Sequence, residues 1–307
     1  MKEIKIYSPA TIANVSCGFD VLGLCLDNVG DEMIFRQSAE RGLRIVEITG
    51  ADLPLALEKN VAGVAGQALM EHLNPDFGIE MTIHKKIKAG SGIGSSAASA
   101  AGAVYGINAL CGYPLSKKEL IYYAMQGEAL VSGAAHADNV APALLGGFAF
   151  IRSYDPLDIV SIKAPEQLYA TVIHPQIELK TIDSRSVLKQ TVTLKQAITQ
   201  CGNLGGLISA LYTSDYDLLG RCLHDEFVEP KRSVLIPNFK ELKDVAAKCG
   251  ALGGGISGAG PSVFVLSKGK EVAECVAQAM KAIVANVDYA CDIHVSPINQ
   301  TGIRELI

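Results

Sequence analysis

Charge and apolar bulk alternate from the start of the chain. Glu3-Ile4-Lys5-Ile6 sets Glu and Lys on one side of an extended segment and Ile on the other, the period-two pattern of a half-buried strand. Similar stretches predict strands at Glu3–Ser8, Glu32–Arg36, Leu43–Ile48, Ile79–Ile87, Gly147–Ser153 and Asp158–Ile162. Helical spacing of apolar residues predicts helices over Asn60–His72, Ser95–Cys111 and Lys117–Val131. The pattern restarts after Pro165. Leu168–His174, Ser262–Ser267 and Cys291–Val295 read as strands, and Leu194–Thr213, Tyr216–Glu226, Phe239–Cys249 and Glu271–Val284 as helices. Strands and helices mix in both halves without strict βαβ alternation. The fold class expected is therefore α+β in two domains, 1–164 and 165–307, divided near Ala164-Pro165.

Composition supports a folded chain. Of 307 residues 49% are hydrophobic and 19% charged, enough apolar bulk for sizeable cores and too little charge for disorder. The net charge is −5, Trp is absent, and Lys and Arg form no stripe, which argues against nucleic acid as the main partner. The first residues read as a strand rather than a secretory leader. The most apolar region, Ala97 to Leu110, is too short to span a bilayer, so no membrane partner is expected and the expected location is cytoplasmic. The eight cysteines include no C-x-x-C pair and no His at zinc-site spacing, and read as reduced core thiols.

The most informative segment is Ala89-Gly90-Ser91-Gly92-Ile93-Gly94-Ser95-Ser96-Ala97-Ala98-Ser99, between an expected strand and an Ala-rich helix. The first N–H groups of a helix have no intrahelical partner, and glycines let a backbone wrap closely around a ligand. Such a loop suits phosphate. The plainer reading is a helix capped by Ser95, but one cap does not need this many Gly and Ser residues. No Gly-Lys-Ser/Thr follows, so this is not a Walker loop. Gly253-Gly254-Gly255-Ile256-Ser257-Gly258 has G-x-G-x-x-G spacing but leads to Pro261 and a strand, which argues against a dinucleotide site. Glu128 falls on the apolar face of its helix, a turn beyond Ala124 and two beyond Leu120. A carboxylate there calls for a metal ion or a Lys or Arg partner.

Three segments together resemble the GHMP kinases, the galacto-, homoserine, mevalonate and phosphomevalonate kinase group. They are Pro9 to Gly23, the Gly/Ser loop, and Gly253 to Ser262, which span nearly the whole chain in this order. Within the group the match is best to the branch that phosphorylates homoserine. Asn14 to Gly23, His136 to Pro142, Thr181 with Arg185, and Glu229-Pro230-Lys231-Arg232 all fit it. The resemblance implies a ribosomal protein S5 domain 2-like N-terminal domain, a ferredoxin-like C-terminal domain with the site between them, and a homodimer. It also implies ATP and L-homoserine as substrates, with transfer of a phosphoryl group to the alcohol on the route to threonine.

By the same resemblance ATP is bound by Asn60 and the loop from Ala89 to Ser99, and Mg²⁺ by Ser96 and Glu128. Asn60 reads equally as an N-cap. The acceptor falls to Asn14, Asp20, His136, Asp138, Asn139, Thr181, Arg185 and Arg232. The two arginines would hold its α-carboxylate, to which a planar guanidinium is matched, and they favour an amino acid over a sugar or isoprenoid alcohol. Asp138 or Asn139 could instead be an ordinary N-cap. Thr181 falls near the place where other members carry a basic Asp, so catalysis by Asp20, Ser96 and Glu128 is expected to rest on positioning and charge, with Asp20 orienting the hydroxyl. Gly253 to Ser262 would close over the site and support the phosphate loop. Lys88 departs from the family's Pro, and either aids ATP binding or points to solvent.

Overall fold

The first strand runs further than its alternation predicts. In the computed structural model, which describes residues 2–133, 135–177, 188 and 191–306, β1 spans Glu3–Ala13 and every residue from Ser8 onward is buried. Burial on both faces erases a period of two. The antiparallel partner β2, Leu22–Ser38, is legible in sequence only at its half-buried end. The first half continues with β3 (Leu43–Thr49), α1 (Val61–Leu73), β4 (Gly78–His84), α2 (Ser95–Leu110), α3 (Lys117–Ser132), α4 (Val140–Leu145), β5 (Phe148–Tyr154) and β6 (Leu157–Ile162).

The second half holds β7 (Leu168–Pro175), α5 (Leu194–Thr213), α6 (Tyr216–Cys222), α7 (Glu229–Arg232), α8 (Phe239–Lys248), β8 (Gly253–Ile256), β9 (Val263–Lys268), α9 (Lys270–Ile283) and β10 (Cys291–Pro297). A last strand, β11 (Arg304–Glu305), returns to pair with β1. The first sheet thus runs β11-β1-β2-β4-β3, with β5 on β2 and β6 on β5, and the second β10-β7-β9-β8.

Two corrections to the expected elements have local causes. The helix that begins at Tyr216 stops at Cys222 rather than Glu226. Asp225 instead accepts from the backbone N–H of Phe227, Val228 and Glu229, and so starts α7. The first residues of the third glycine segment form an edge strand, β8, which three consecutive glycines give no alternation to predict.

Helix α2 is buried at every position except Ser96. Its small residues let it lie against β2: a Cβ at Gly106 would fall 2.1 Å from the Phe35 ring. A second apolar cluster joins the halves. Ile12, Leu24 and Phe148 from the first sheet meet Val172, Phe264 and Leu266 of the second and Leu207 and Leu211 of α5. The other face of the second sheet, Ile173, Val263 and Val265, packs on Leu242 of α8 and Val276 and Met280 of α9. Among the described residues no helix is long and apolar enough to cross a membrane.

Candidate active site

The phosphate-loop segment opens α2 without a side-chain cap. The N-cap is Gly94, at φ 70° and ψ 34°, and no side chain caps the first N–H groups of the helix. Ser95, which alone could have capped it, turns away and donates its hydroxyl to Ile87 O at 2.9 Å. The N–H groups of Ser95, Ser96 and Ala97 therefore keep their outward bonding capacity, at the positive end of the helix dipole. The loop lines a cavity of about 340 Å³ through Ala89, Gly90, Ser91, Gly92, Gly94, Ser95, Ser96 and Ser99. Ile93, Ala97 and Ala98 pack their side chains into the cores, so they can offer a ligand only backbone.

The third glycine segment clasps this loop from the second domain. Ser257 Oγ donates to Gly92 O at 2.7 Å and Ser262 Oγ to Ser91 O at 2.5 Å. The approach is close enough that a Cβ on Gly92 would lie 2.6 Å from Gly260 O.

Ser96 and Glu128 meet at the cavity wall, with Ser96 Oγ donating to Glu128 Oε2 at 3.1 Å. Burial pushes the Glu128 carboxyl up to about 7, against the Ser96 hydrogen bond and the charge of Lys85. Adding a cation beside it would favour the ionised form. These oxygen donors suit a hard divalent ion that takes its remaining ligands from phosphate and water. No cluster of three or more His, Cys, Asp or Glu occurs among the described residues.

Sequence reasoning missed a buried ion pair behind the loop. Lys85 lines the cavity and pairs with Asp31, and both side chains are nearly inaccessible. Its ammonium also donates to Ser95 O at 2.9 Å and to Ser99 Oγ at 3.0 Å. Burial draws the Lys85 ammonium down from its ordinary value, and Asp31 opposes that. Asp31 accepts as well from the N–H groups of Lys86 and Ile87. A signal existed: Asp31, Met33 and Phe35 are alternate residues on the buried face of β2, so Asp31 breaks an apolar face just as Glu128 does.

The acceptor-side residues gather in the same cavity. Asn14, Asp20, His136, Asp138, Asn139 and Arg232 all line it. Asn14, Val15, Ser16 and Asp20 have φ of 72°, 39°, 62° and 59°, a left-handed run that non-glycine residues adopt only when the surroundings hold it. Asn14 helps to hold it: its amide donates to Gly258 O at 2.8 Å, and its Oδ1 accepts from Asp20 N at 3.0 Å. Asp20 Oδ1 lies 3.8 Å from His136 Nδ1. Tyr154, also missed, donates to Asp20 O at 2.8 Å and accepts from Ala137 N at 3.3 Å, joining the two segments. Arg232 is buried, donates to Gly258 O at 3.2 Å and stands over the Phe19 ring at 5.5 Å.

Other expectations resolve differently. Asn139 sits at the N-cap of α4 without capping it, and its Oδ1 accepts from Thr11 Oγ1 at 2.7 Å. Asn60 does cap, accepting from Ala62 N and Gly63 N, while it lines the cavity. Lys88 neither enters the cavity nor stands free in solvent: it pairs with Asp292 of β10 at 3.0 Å. Burial alone would raise the Asp292 carboxyl, but Lys88, Gln176 and His174 hold it below the usual carboxylate range. Of the eight cysteines only Cys17, Cys25 and Cys222 are buried, so the reading of all of them as core thiols fails for the rest. Thr181 and Arg185 lie outside the described residues.

The family models named GHMP kinases N terminal domain and GHMP kinases C terminal match residues 59–147 and 207–286. A homoserine kinase of Chlorobium phaeobacteroides is 45% identical over the full length of both chains. The crystal structure of a homoserine kinase from Cytophaga hutchinsonii superposes with a TM-score of 0.96 at 48% identity, covering 100% of this chain and 98% of that one. The L. major mevalonate kinase crystallised with R-mevalonate has a TM-score of 0.70 at 17% identity, a likeness of fold alone.

Proposed function

The chain belongs to the GHMP kinase family, and we infer that it is an ATP-dependent homoserine kinase, making O-phospho-L-homoserine on the route to threonine. One observation carries the reading. An uncapped helix N-terminus with Ser96 and Glu128 beside it shares a cavity with a buried Arg232 and the Asp20–His136 pair.

In this reading the N–H groups from Gly94 to Ala97 and the loop backbone hold the ATP phosphates, and the clasp by Ser257 and Ser262 keeps that backbone in shape. Ser96 Oγ and Glu128 would hold Mg²⁺, which supplies charge neutralisation on the β- and γ-phosphate oxygens when bound. Lys85, its charge paired with Asp31, braces the start of α2 through Ser95 O and Ser99 Oγ. Arg232, with Arg185, binds the α-carboxylate. Asp20 and His136 orient the acceptor hydroxyl, whose oxygen forms the new P–O bond while the bond to ADP breaks and the hydroxyl proton passes to water. Asn14 acts through others, because its amide and carbonyl already bond to Gly258 and Asp20. The two domains, 1–164 and 165–307, are read as S5 domain 2-like and ferredoxin-like, with β11 returning to the first sheet.

The test is coupled ADP release with MgATP and L-homoserine, mevalonate, galactose, L-serine or L-threonine. Turnover with homoserine well above all others is expected; a preference for galactose, which has no carboxylate, would sink the carboxylate assignment, and a preference for mevalonate, which has a carboxylate but no amine, would sink the amino-acid reading. Arg232→Ala should raise KM for homoserine about 50-fold, the cost of a lost charged hydrogen bond, while Kd for ATP changes less than threefold. An equal loss in both constants would mean that Arg232 merely supports the loop at Gly258. Asp20→Asn should lower kcat about 20-fold, as expected for a lost positioning contact, at unchanged ATP affinity. Near-normal turnover at saturating homoserine would remove Asp20 from the reaction.

A further inference from the structure

One side-chain cluster outside the cavity has chemistry that the kinase reaction does not use. Cys249 is the C-cap of α8 and Cys275 lies on α9. The Cys275 thiol is in hydrogen-bond contact with Cys249 Sγ, at 2.6 Å. Cys275 is exposed and Cys249 half-buried, so a small reagent can reach the pair. The two helices share one apolar cluster, with Leu242 and Ala246 of α8 packed near Val276 and Met280 of α9. The sulfurs are therefore held together by packing and not by a chance meeting of loops. Cys275 is the more exposed of the two sulfurs, which makes it the one a reagent in solution reaches first.

We propose that Cys249 and Cys275 form a reversible dithiol–disulfide site that is oxidised by small-molecule disulfides. The Cys275 thiolate attacks one sulfur of the small disulfide and expels one small thiol. The Cys249 thiolate then attacks Sγ of Cys275 and expels the second. Two protein thiols and one small disulfide thus become one protein disulfide and two small thiols, and the thiol protons leave with the expelled sulfurs. The bond staples the end of α8 to α9. Directly after Cys249 come Gly250, Ala251 and Leu252, then β8, then Ser257, which holds Gly92 of the phosphate loop. Oxidation should therefore stiffen the segment that carries the clasp.

The test equilibrates the full-length protein with oxidised and reduced glutathione, quenches with acid, and maps linkages by mass. The expected product has lost two hydrogens, carries a Cys249–Cys275 cross-link and reverts with dithiothreitol. Its Tm should be higher by about 5 °C, from the constraint on the unfolded chain. Hydrogen exchange at Ala251 to Ile256 should slow several-fold. Cys249→Ser and Cys275→Ser should form no cross-link, gain no Tm on oxidation and keep the kinase rate of the reduced protein. The proposal is overturned if both thiols persist where a free dithiol peptide is fully oxidised. A glutathione adduct retained on Cys275, or a cross-link to exposed Cys201, would overturn it equally.

Discussion

Glu128→Gln should lower kcat about a thousand-fold, roughly 4 kcal/mol of transition-state stabilisation, with KM for homoserine changed less than threefold. The substitution keeps the size of the side chain and can still accept from Ser96, so packing is preserved. What is lost is a negative charge at the one place where the hydroxyl of Ser96 and a carboxylate share the cavity wall. In the free protein that carboxyl is raised to about 7 by burial, so its charge is costly until a cation stands beside it. The sign of the linkage follows. Folding favours the protonated form, so Glu128 costs no stability below the unfolded-state pKa near 4.5 and costs most above about 7. Added Mg²⁺ should therefore raise Tm more at pH 8 than at pH 6 in the native protein, and should lose that difference in Glu128→Gln. A variant with native kcat, or one whose Mg²⁺ response keeps its pH dependence, would remove Glu128 from the cation site.

Gly94→Ala should weaken ATP binding about a hundred-fold and destabilise the fold by about 3 kcal/mol. Two causes add. The N-cap sits at φ 70°, where an L side chain costs about 1–2 kcal/mol. The new Cβ would also lie 2.1 Å from Thr11 Oγ1, and Thr11 must then give up its bond to Asn139, a loss of about 1 kcal/mol. Relief moves either β1 or the first turn of α2, and both border the cavity. Gly94→Ala combined with Thr11→Ala removes the clash but not the backbone strain, so it should recover part of the affinity and little of the Tm. If Gly94→Ala bound ATP like the native chain, the left-handed cap would not be what aims the helix N–H groups.

The contact of Thr11 with Asn139 also helps to keep the Gly/Ser loop and the acceptor-side residues in register. Strand β1 carries Thr11 and leads into Asn14, α4 begins at Asn139, and α2 begins at Gly94. A shift in the Gly/Ser loop is therefore felt by the segments that carry Asn14 and Asn139, through this side-chain hydrogen bond and the backbone bond from Thr11 N–H to Ile93 O.

The chemistry that sequence alone determined is chemistry carried by consecutive residues or by one element's own period. The Gly/Ser loop is legible because a helix start able to receive an anion is built from neighbouring N–H groups. Glu128 is legible because a helix repeats its faces, so a carboxylate on an apolar face stands out. Tertiary structure decided what depends on residues far apart in the chain. It sent Ser95 to Ile87 and left the helix start open, bound Asn14 to Gly258, and paired Lys85 with Asp31 and Lys88 with Asp292. Long strands buried on both faces, such as the inner parts of β1 and β2, also lost their boundaries, since burial on both sides leaves no alternation to read. A side chain's type and spacing limit what it can bond; which partner it meets is set by the packing of β1, α2 and the segment after β8 around one cavity, and a linear sequence does not contain that distance.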